Sequence, residues 1–247
     1  MKKMFLLACT LCLSVCAMAQ TAFYVYKTDG SRVKYDIADV DSISFTAPKV
    51  TTENGREYVD LGLPSGTKWA TCNVGATAPE EYGDYFAWGE ITTKSSYNWS
   101  TYKWCNGDYN NLTKYNTDSG YGTVDNKTTL TLADDAARAN WGGKWRMPTN
   151  DEWGELIDEC AWTWTTLNGV NGYEVKSKAN GNTIFLPAAG YRYNDNLYYA
   201  GILGFYWSSS LNTDSPDDAW YVYFNSGNVC GDDSGRYRGQ SVRPVLF

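Results

Sequence analysis

Histidine is absent from all 247 residues. Its absence removes Ser-His-Asp and Cys-His nucleophile pairs, histidine-ligated zinc and the H-E-x-x-H site, because each needs an imidazole as base or ligand. Basic charge is also scarce: 21 Lys and Arg face 28 Asp and Glu, a net charge of −7. A chain of this balance lacks the electrostatic footprint that supplies most non-specific nucleic-acid affinity, so no nucleic-acid partner is expected. No C-x-x-C pair occurs, which argues against a redox motif and a cysteine zinc site. No apolar run reaches the about 20 residues that a membrane-spanning helix needs.

The longest such run opens the chain. Met1 to Ala19 reads as a secretory signal peptide: Lys2 and Lys3 form the charged region, Phe5 to Val15 the apolar stretch, and Ala17-Met18-Ala19 a small-x-small cleavage site. The expected localisation is export through the secretory pathway, to the cell surface or into the medium. Leu13-Ser14-Val15-Cys16 approaches a bacterial lipobox, with Val15 where a small residue is usual, so a lipoprotein anchored at Cys16 is the alternative. Once the leader is removed, Cys72, Cys105, Cys160 and Cys230 remain, and the sequence does not choose among their three pairings.

Two short apolar runs follow, Ala22 to Tyr26 and Ser42 to Phe45, with Asp29-Gly30 as a turn signal and the alternating Arg32-Val33-Lys34-Tyr35 between them. Residues 20–48 are therefore expected to form a small N-terminal β-hairpin segment, with a helical or turn piece at Asp36 to Asp41. A segment of this size does not fold alone, which makes it a candidate to donate or accept a strand in a surface-fibre assembly. Residues 49–56 read as a linker.

From 57 to 247 the chain reads as one domain. Glu57 to Leu61 and Thr67 to Cys72 flank a Pro64-Ser65-Gly66 turn, and residues 79–129, rich in Tyr, Asn, Thr, Gly and Asp, predict long loops. Thr131 with Asp134, and the shared face of Leu132, Ala136 and Trp141, predict a first helix in which Asp134 precedes Arg138 by one turn. Thr149 and Glu152 form a capping box that opens a second helix, with Trp153, Leu156, Ile157 and Cys160 on its apolar side. Glu152, Glu155 and Glu159 read as its solvated face. Asn180-Gly181 predicts a hairpin between Tyr173–Ser177 and Thr183–Leu186, and Gly204–Ser210, Ala219–Phe224 and Ser241–Phe247 complete a β-rich final third. Two helices among mostly antiparallel strands make the fold class α+β.

Aromatic residues are dense, at 16% of the chain, and eleven of them lie between Tyr191 and Phe224. Alternation over 219–224 sets Trp220, Val222 and Phe224 on one face and Tyr221 and Tyr223 on the other, so that one set builds core and the other can face outward. Rigid tyrosines beside short polar side chains suit an adaptable recognition surface. From Tyr193 to Gly235 there are six Asp and no Lys or Arg, which favours neutral sugars or basic protein patches as ligands.

Y-V-D-L-G-L-P-S-G-T-K-W-A-T-C-N-V-G (58–75), G-D-Y-F-A-W-G-E (83–90), G-G-K-W-R-M-P-T-x-D-E-W-x-E-L (142–156), F-L-P-A-A-G-Y-R (185–192), Y-W-S-S-S (206–210) and G-x-S-V-R-P-V (239–245) stand in this order. Together they resemble the Fibrobacter succinogenes major paralogous domain family of exported Bacteroidetes proteins. The resemblance implies a C-type-lectin-like fold, shared with formylglycine-generating enzymes and with target proteins of diversity-generating retroelements. It also implies that the strand near Tyr58 pairs with the terminal Val242–Leu246 strand. Residues 22–47 resemble the hairpin that often precedes such domains.

The expected function is an exported, surface-associated ligand-binding module, adhesin or lectin-like, that recognises a glycan or a host or bacterial surface protein. Its expected face is Tyr193, Asp195, Tyr198, Tyr199, Asp214, Asp217, Tyr221, Tyr223, Cys230, Asp232, Asp233 and Tyr237. The position of Tyr221, Tyr223 and Cys230 to Asp233 between fixed blocks would suit retroelement diversification. No catalysis is expected: Cys230 lacks the second cysteine of a formylglycine-generating site, and Ser208-Ser209-Ser210 lacks a base or a G-x-S-x-G frame. No cofactor is expected; Ca²⁺ is the alternative, through Ser215-Pro216-Asp217-Asp218, Asp232 and Asp233. A structural or tip subunit of a surface fibre and a carbohydrate-active enzyme are the alternative functions.

Overall fold

The computed structural model of the chain describes residues 22–26, 31–39 and 51–246, which fall in two units divided between Lys49 and Val50. The expected leader with Cys16, the Asp29-Gly30 turn signal, the Ser42–Phe45 run and residues 47–50 lie outside the described residues.

In the first unit, β1 (Ala22–Tyr26) and β2 (Arg32–Asp36) pair antiparallel with Ala22 opposite Asp36, and a 3₁₀ turn follows at Ile37–Asp39. Phe23 stacks on Tyr35 at 5.3 Å on one face of the ribbon. Tyr24, Val25 and Tyr26 stay exposed, because two strands alone have no second layer to cover them.

The second unit opens with β3 (Thr51–Glu53) and β4 (Arg56–Asp60), which corrects the reading of 49–56 as linker. The reason is local: Asn54 and Gly55 both adopt positive φ, 48° and 74°, the backbone of a tight hairpin turn, so Thr51–Glu53 folds back onto Arg56. β5 (Lys68–Ala70) pairs on the other side of β4. From Thr71 to Thr131 the described chain has bridges and 3₁₀ turns but no named strand or α-helix, as the composition predicts. It is nonetheless packed, with Tyr85, Tyr97 and Tyr102 buried in a cluster of its own.

The first predicted helix is split. Leu132–Asp134 is a 3₁₀ turn, and α1 (Ala136–Trp141) is capped by Asp135, whose carboxylate accepts from Arg138 N at 3.0 Å. Asp134 turns away from Arg138 to accept from Lys114 and Tyr115. α2 (Asn150–Glu159) keeps the predicted capping box. Its glutamates correct the solvated-face reading: Glu152 pairs with Arg146 and accepts from Thr67 Oγ1 at 2.8 Å, and Glu155 accepts from Ser65 N at 2.7 Å, so two of the three hold the 65–67 turn.

β6 (Cys160–Leu167), β7 (Val170–Ser177) and β8 (Thr183–Pro187) form an antiparallel sheet in that order. β9 (Tyr191–Tyr193) and β10 (Asn196–Tyr198) form a small ribbon. β11 (Gly204–Leu211), β12 (Asp218–Asn225) and β13 (Asn228–Gly235) form a third sheet. β14 (Val245–Leu246) pairs with β5 through Val245 and Trp69, so β5 separates the terminal strand from Tyr58, a correction to the expected pairing. Every named strand pair is antiparallel, and the class is α+β.

The β11–β12 pair is the centre of this unit. Trp207 and Tyr221 pack into one core with Trp88, Trp145 and Val242, while Tyr206, Val222 and Phe224 pack into the other with Trp69, Trp153 and Val175. Two arginines inside are matched to neutral oxygens. Arg243 donates to Asn73 Oδ1, Ala70 O and Phe185 O, each at 2.9 Å, and Arg236 ties the 102–115 loop to Pro216.

Candidate ligand-binding face

β9 alternates so that Tyr191 and Tyr193 share one side, and the turn at Asn194 (φ 49°) brings Tyr198 across to stack on Tyr191 at 5.8 Å. Gly190 makes this closeness feasible, since a Cβ there would lie 2.1 Å from Tyr198 O. Tyr199 follows at φ 58°, a left-handed backbone that costs a bulky residue on the order of 1 kcal/mol. That strained residue is 52% exposed, with Tyr193 at 39% and Tyr198 at 37%.

The array continues across the molecule. Tyr193 lies 6.0 Å from Tyr237, and Tyr237 lies 4.9 Å from Trp99, whose loop supplies Tyr109 at 6.4 Å. Inward, Tyr191 meets Phe205 at 4.8 Å, and Phe205 stacks on Tyr221 at 5.6 Å, so the exposed rings rest on the core. Arg238 sits over this array, its Cζ 5.1 Å from the Tyr191 centroid and 5.9 Å from that of Tyr193, within cation–π range. Its Nε is buried without a hydrogen-bond partner.

Beside Arg238 lies an acidic group on β12 and β13. Asp218, hydrogen-bonded to Asp233, has its carboxyl pushed up to about 7, first by burial and then by the charges of Asp217 and Asp233. Tyr221 Oη donates to Asp232 at 3.3 Å, and burial followed by that carboxylate raises the phenol far above its ordinary value. Among the described residues, no three carboxylates or thiols gather in an arrangement that could hold a metal ion.

The expected face thus separates into parts. Tyr193, Tyr198, Tyr199 and Tyr237 belong to the aromatic array, and Asp195 is exposed in the β9–β10 turn beside them. Asp217, Asp232 and Asp233 belong to the acidic group. Asp214 is exposed in the loop before β12, and Cys230 lies half-buried opposite Tyr223 on β13. Tyr221 is corrected: it is 6% exposed and part of the core, because both faces of β12 are covered. Tyr223 is half-buried against the same core.

Sequence reasoning missed Trp99, Tyr109 and Arg238, and counted Tyr191 among the dense aromatics without naming it in the expected face. The ring density of Tyr97, Trp99, Tyr102, Trp104 and Tyr109 within a loop was the available signal. The acidic character expected of the ligand surface is also modified, since folding brings Arg238, from beyond the basic-free run, against its tyrosines. Cys72, Cys105, Cys160 and Cys230 are free thiols, and the first three are buried.

Fold and site together define an α+β scaffold of antiparallel strands and two helices that carries an exposed aromatic surface on its loops and edge ribbon. The chain belongs to the Lcl C-terminal domain family, the Fibrobacter succinogenes major paralogous domain family, whose model matches residues 63–246. No curated protein and no solved structure matches it. Among the described residues, no helix is long and apolar enough to cross a membrane.

Proposed function

We propose that this chain is an exported, surface-associated recognition module of C-type-lectin-like fold that binds a glycan on the Tyr193–Tyr198–Tyr237 face. The observation that carries the reading is the continuous array of rings, exposed at Tyr193, Tyr198 and Tyr199 and strained at Tyr199. Sugar rings stack on such platforms through their C–H faces, while Arg238 and Asp195 beside the rings offer a donor and an acceptor for hydroxyls. Family membership supports an extracellular surface module. Binding without catalysis is part of the proposal, as is a place for the exposed β1–β2 ribbon in surface assembly. The test is a screen of the purified protein on glycan and surface-protein arrays, with and without calcium. Selective glycan binding lost on Tyr193→Ala and Tyr198→Ala supports the reading. Binding only to proteins, or binding that both variants retain, rejects it.

A further inference from the structure

The other side of β9 carries a second feature that does not depend on the aromatic face. Since Tyr191 and Tyr193 turn to the array, Arg192 turns the opposite way, into a cleft of about 280 Å³ that Asp84, Tyr85, Thr93, Lys94 and Tyr97 also line. With about 30 Å³ per water molecule as the measure, the cleft has room for a ligand the size of one amino acid. Its walls are fixed: Tyr97 Oη donates to Tyr85 O and Tyr85 Oη to Ala189 O, both at 2.6 Å. Backbone bridges from Tyr97 to Asn194 and from Arg192 to Gly239 lock both sides.

The charges in the cleft are unequally engaged. Lys94 Nζ is committed to Glu90 at 2.8 Å and to Thr101 O at 3.1 Å. Arg192 lies with Cζ 5.2 Å from the Tyr85 ring centroid, and its guanidinium has no acceptor among the described residues. The Asp84 carboxylate likewise has no donor, and the two do not pair with each other. A neutral sugar can meet one free guanidinium and one free carboxylate with hydroxyls but neutralises neither charge, whereas a zwitterion neutralises both on the same rigid rim. A uronate or other simple anion meets Arg192 but faces Asp84 with like charge.

We propose that this cleft binds a free α-amino acid, with the carboxylate on the Arg192 guanidinium fork and the ammonium on Asp84. The fork suits planar two-oxygen recognition, and Thr93 adds a hydroxyl at the same rim. The test is ligand-observed saturation-transfer NMR on the purified protein with free L-amino acids, tested singly at millimolar concentration. N-acetyl-L-leucine, L-leucinamide, galacturonate and glucose serve as controls. The expected result is transfer to L-leucine or another free amino acid, with no transfer to the two blocked leucines. Arg192→Gln and Asp84→Asn should each weaken that binding about tenfold or more while leaving the thermal midpoint in place. Transfer to none of the amino acids overturns the proposal. So does equal transfer to the blocked forms, galacturonate binding that Asp84→Asn strengthens, or amino-acid binding that both variants keep.

Discussion

Replacing Arg236 by Met should lower the thermal midpoint of residues 50–247 while leaving their secondary structure in place. Arg236 is wholly buried and has no ion pair among the described residues. Instead its Nε donates to Tyr102 Oη at 2.9 Å, Nη1 to Tyr115 O at 2.9 Å and Pro216 O at 2.7 Å, and Nη2 to Lys114 O at 2.9 Å. The guanidinium also lies 4.9 Å from the Trp88 ring. Methionine keeps most of the apolar stem but leaves those four oxygens without their donor, at about 1–3 kcal/mol for each acceptor that water does not reach. Relief of the buried charge offsets several kcal/mol of that loss, so the net destabilisation is about 3 kcal/mol. For a unit of this size that corresponds to a midpoint lower by about 6–12 °C. Arg236→Lys should lose nearly as much, since a compact ammonium cannot serve oxygens on both sides of a planar fork. Differential scanning calorimetry of the three proteins reads the effect. A Met variant within about 2 °C of the parent, or a Lys variant as stable as the parent, would refute the claim that fork geometry holds the long loop.

Other outcomes follow from the same structure. Gly204→Ala should destabilise by about 1–3 kcal/mol or more in urea titrations, because its Cβ would lie 2.0 Å from Phe224 Cζ in a closed core. Asp218 holds its proton to about pH 7 in the folded state, so between its ordinary value and that point the folded protein binds more protons than the unfolded chain. Its contribution to stability therefore falls as pH rises through that window. Urea midpoints should show Asp218→Asn gaining on the parent as pH rises from about 4 to about 8, and a constant difference would contradict the assignment. Of the four free thiols, Cys230 alone should react with a thiol reagent in the native state, since Cys72, Cys105 and Cys160 are buried and burial pushes the Cys160 thiol up to about 11. Mass spectrometry before and after denaturation counts the labels.

What could be read from the residues was chiefly what local chemistry decides. The Thr149–Glu152 capping box and the Asn180-Gly181 hairpin both stand where their side chains and backbone preferences place them. Asn54-Gly55 and Asn168-Gly169 carry the same turn signal, yet β3 is short, polar and largely exposed, and β6 opens at Cys160, which the helical spacing had claimed for the second helix, so both strands went unread. The cap of α1 moved from Thr131 to Asp135, four residues on, because Asp134 is drawn to Lys114 and Tyr115 across the long loop and leaves Asp135 to cap the helix. Tyr221 was misplaced because alternation distinguishes two faces but not whether a second layer covers both. Arg238 and Trp99 join the candidate face from separate stretches of chain, and that juxtaposition is a property of the packed β-sheets and not of any local pattern.

The central claim is that ligand is held by the exposed tyrosines of the β9–β10 ribbon and not by the acidic strands beside them. The direct measurement is the affinity of the array-selected glycan, by titration calorimetry, for the parent, for Tyr193→Ala with Tyr198→Ala, and for Asp232→Asn with Asp233→Asn. All three should first be shown to share one thermal midpoint. Each stacked ring supplies about 1 kcal/mol, so the tyrosine pair should weaken binding by about tenfold or more and the aspartate pair by less than about threefold. The reverse order, with the tyrosine variant unchanged and the aspartate variant inert, would contradict the account.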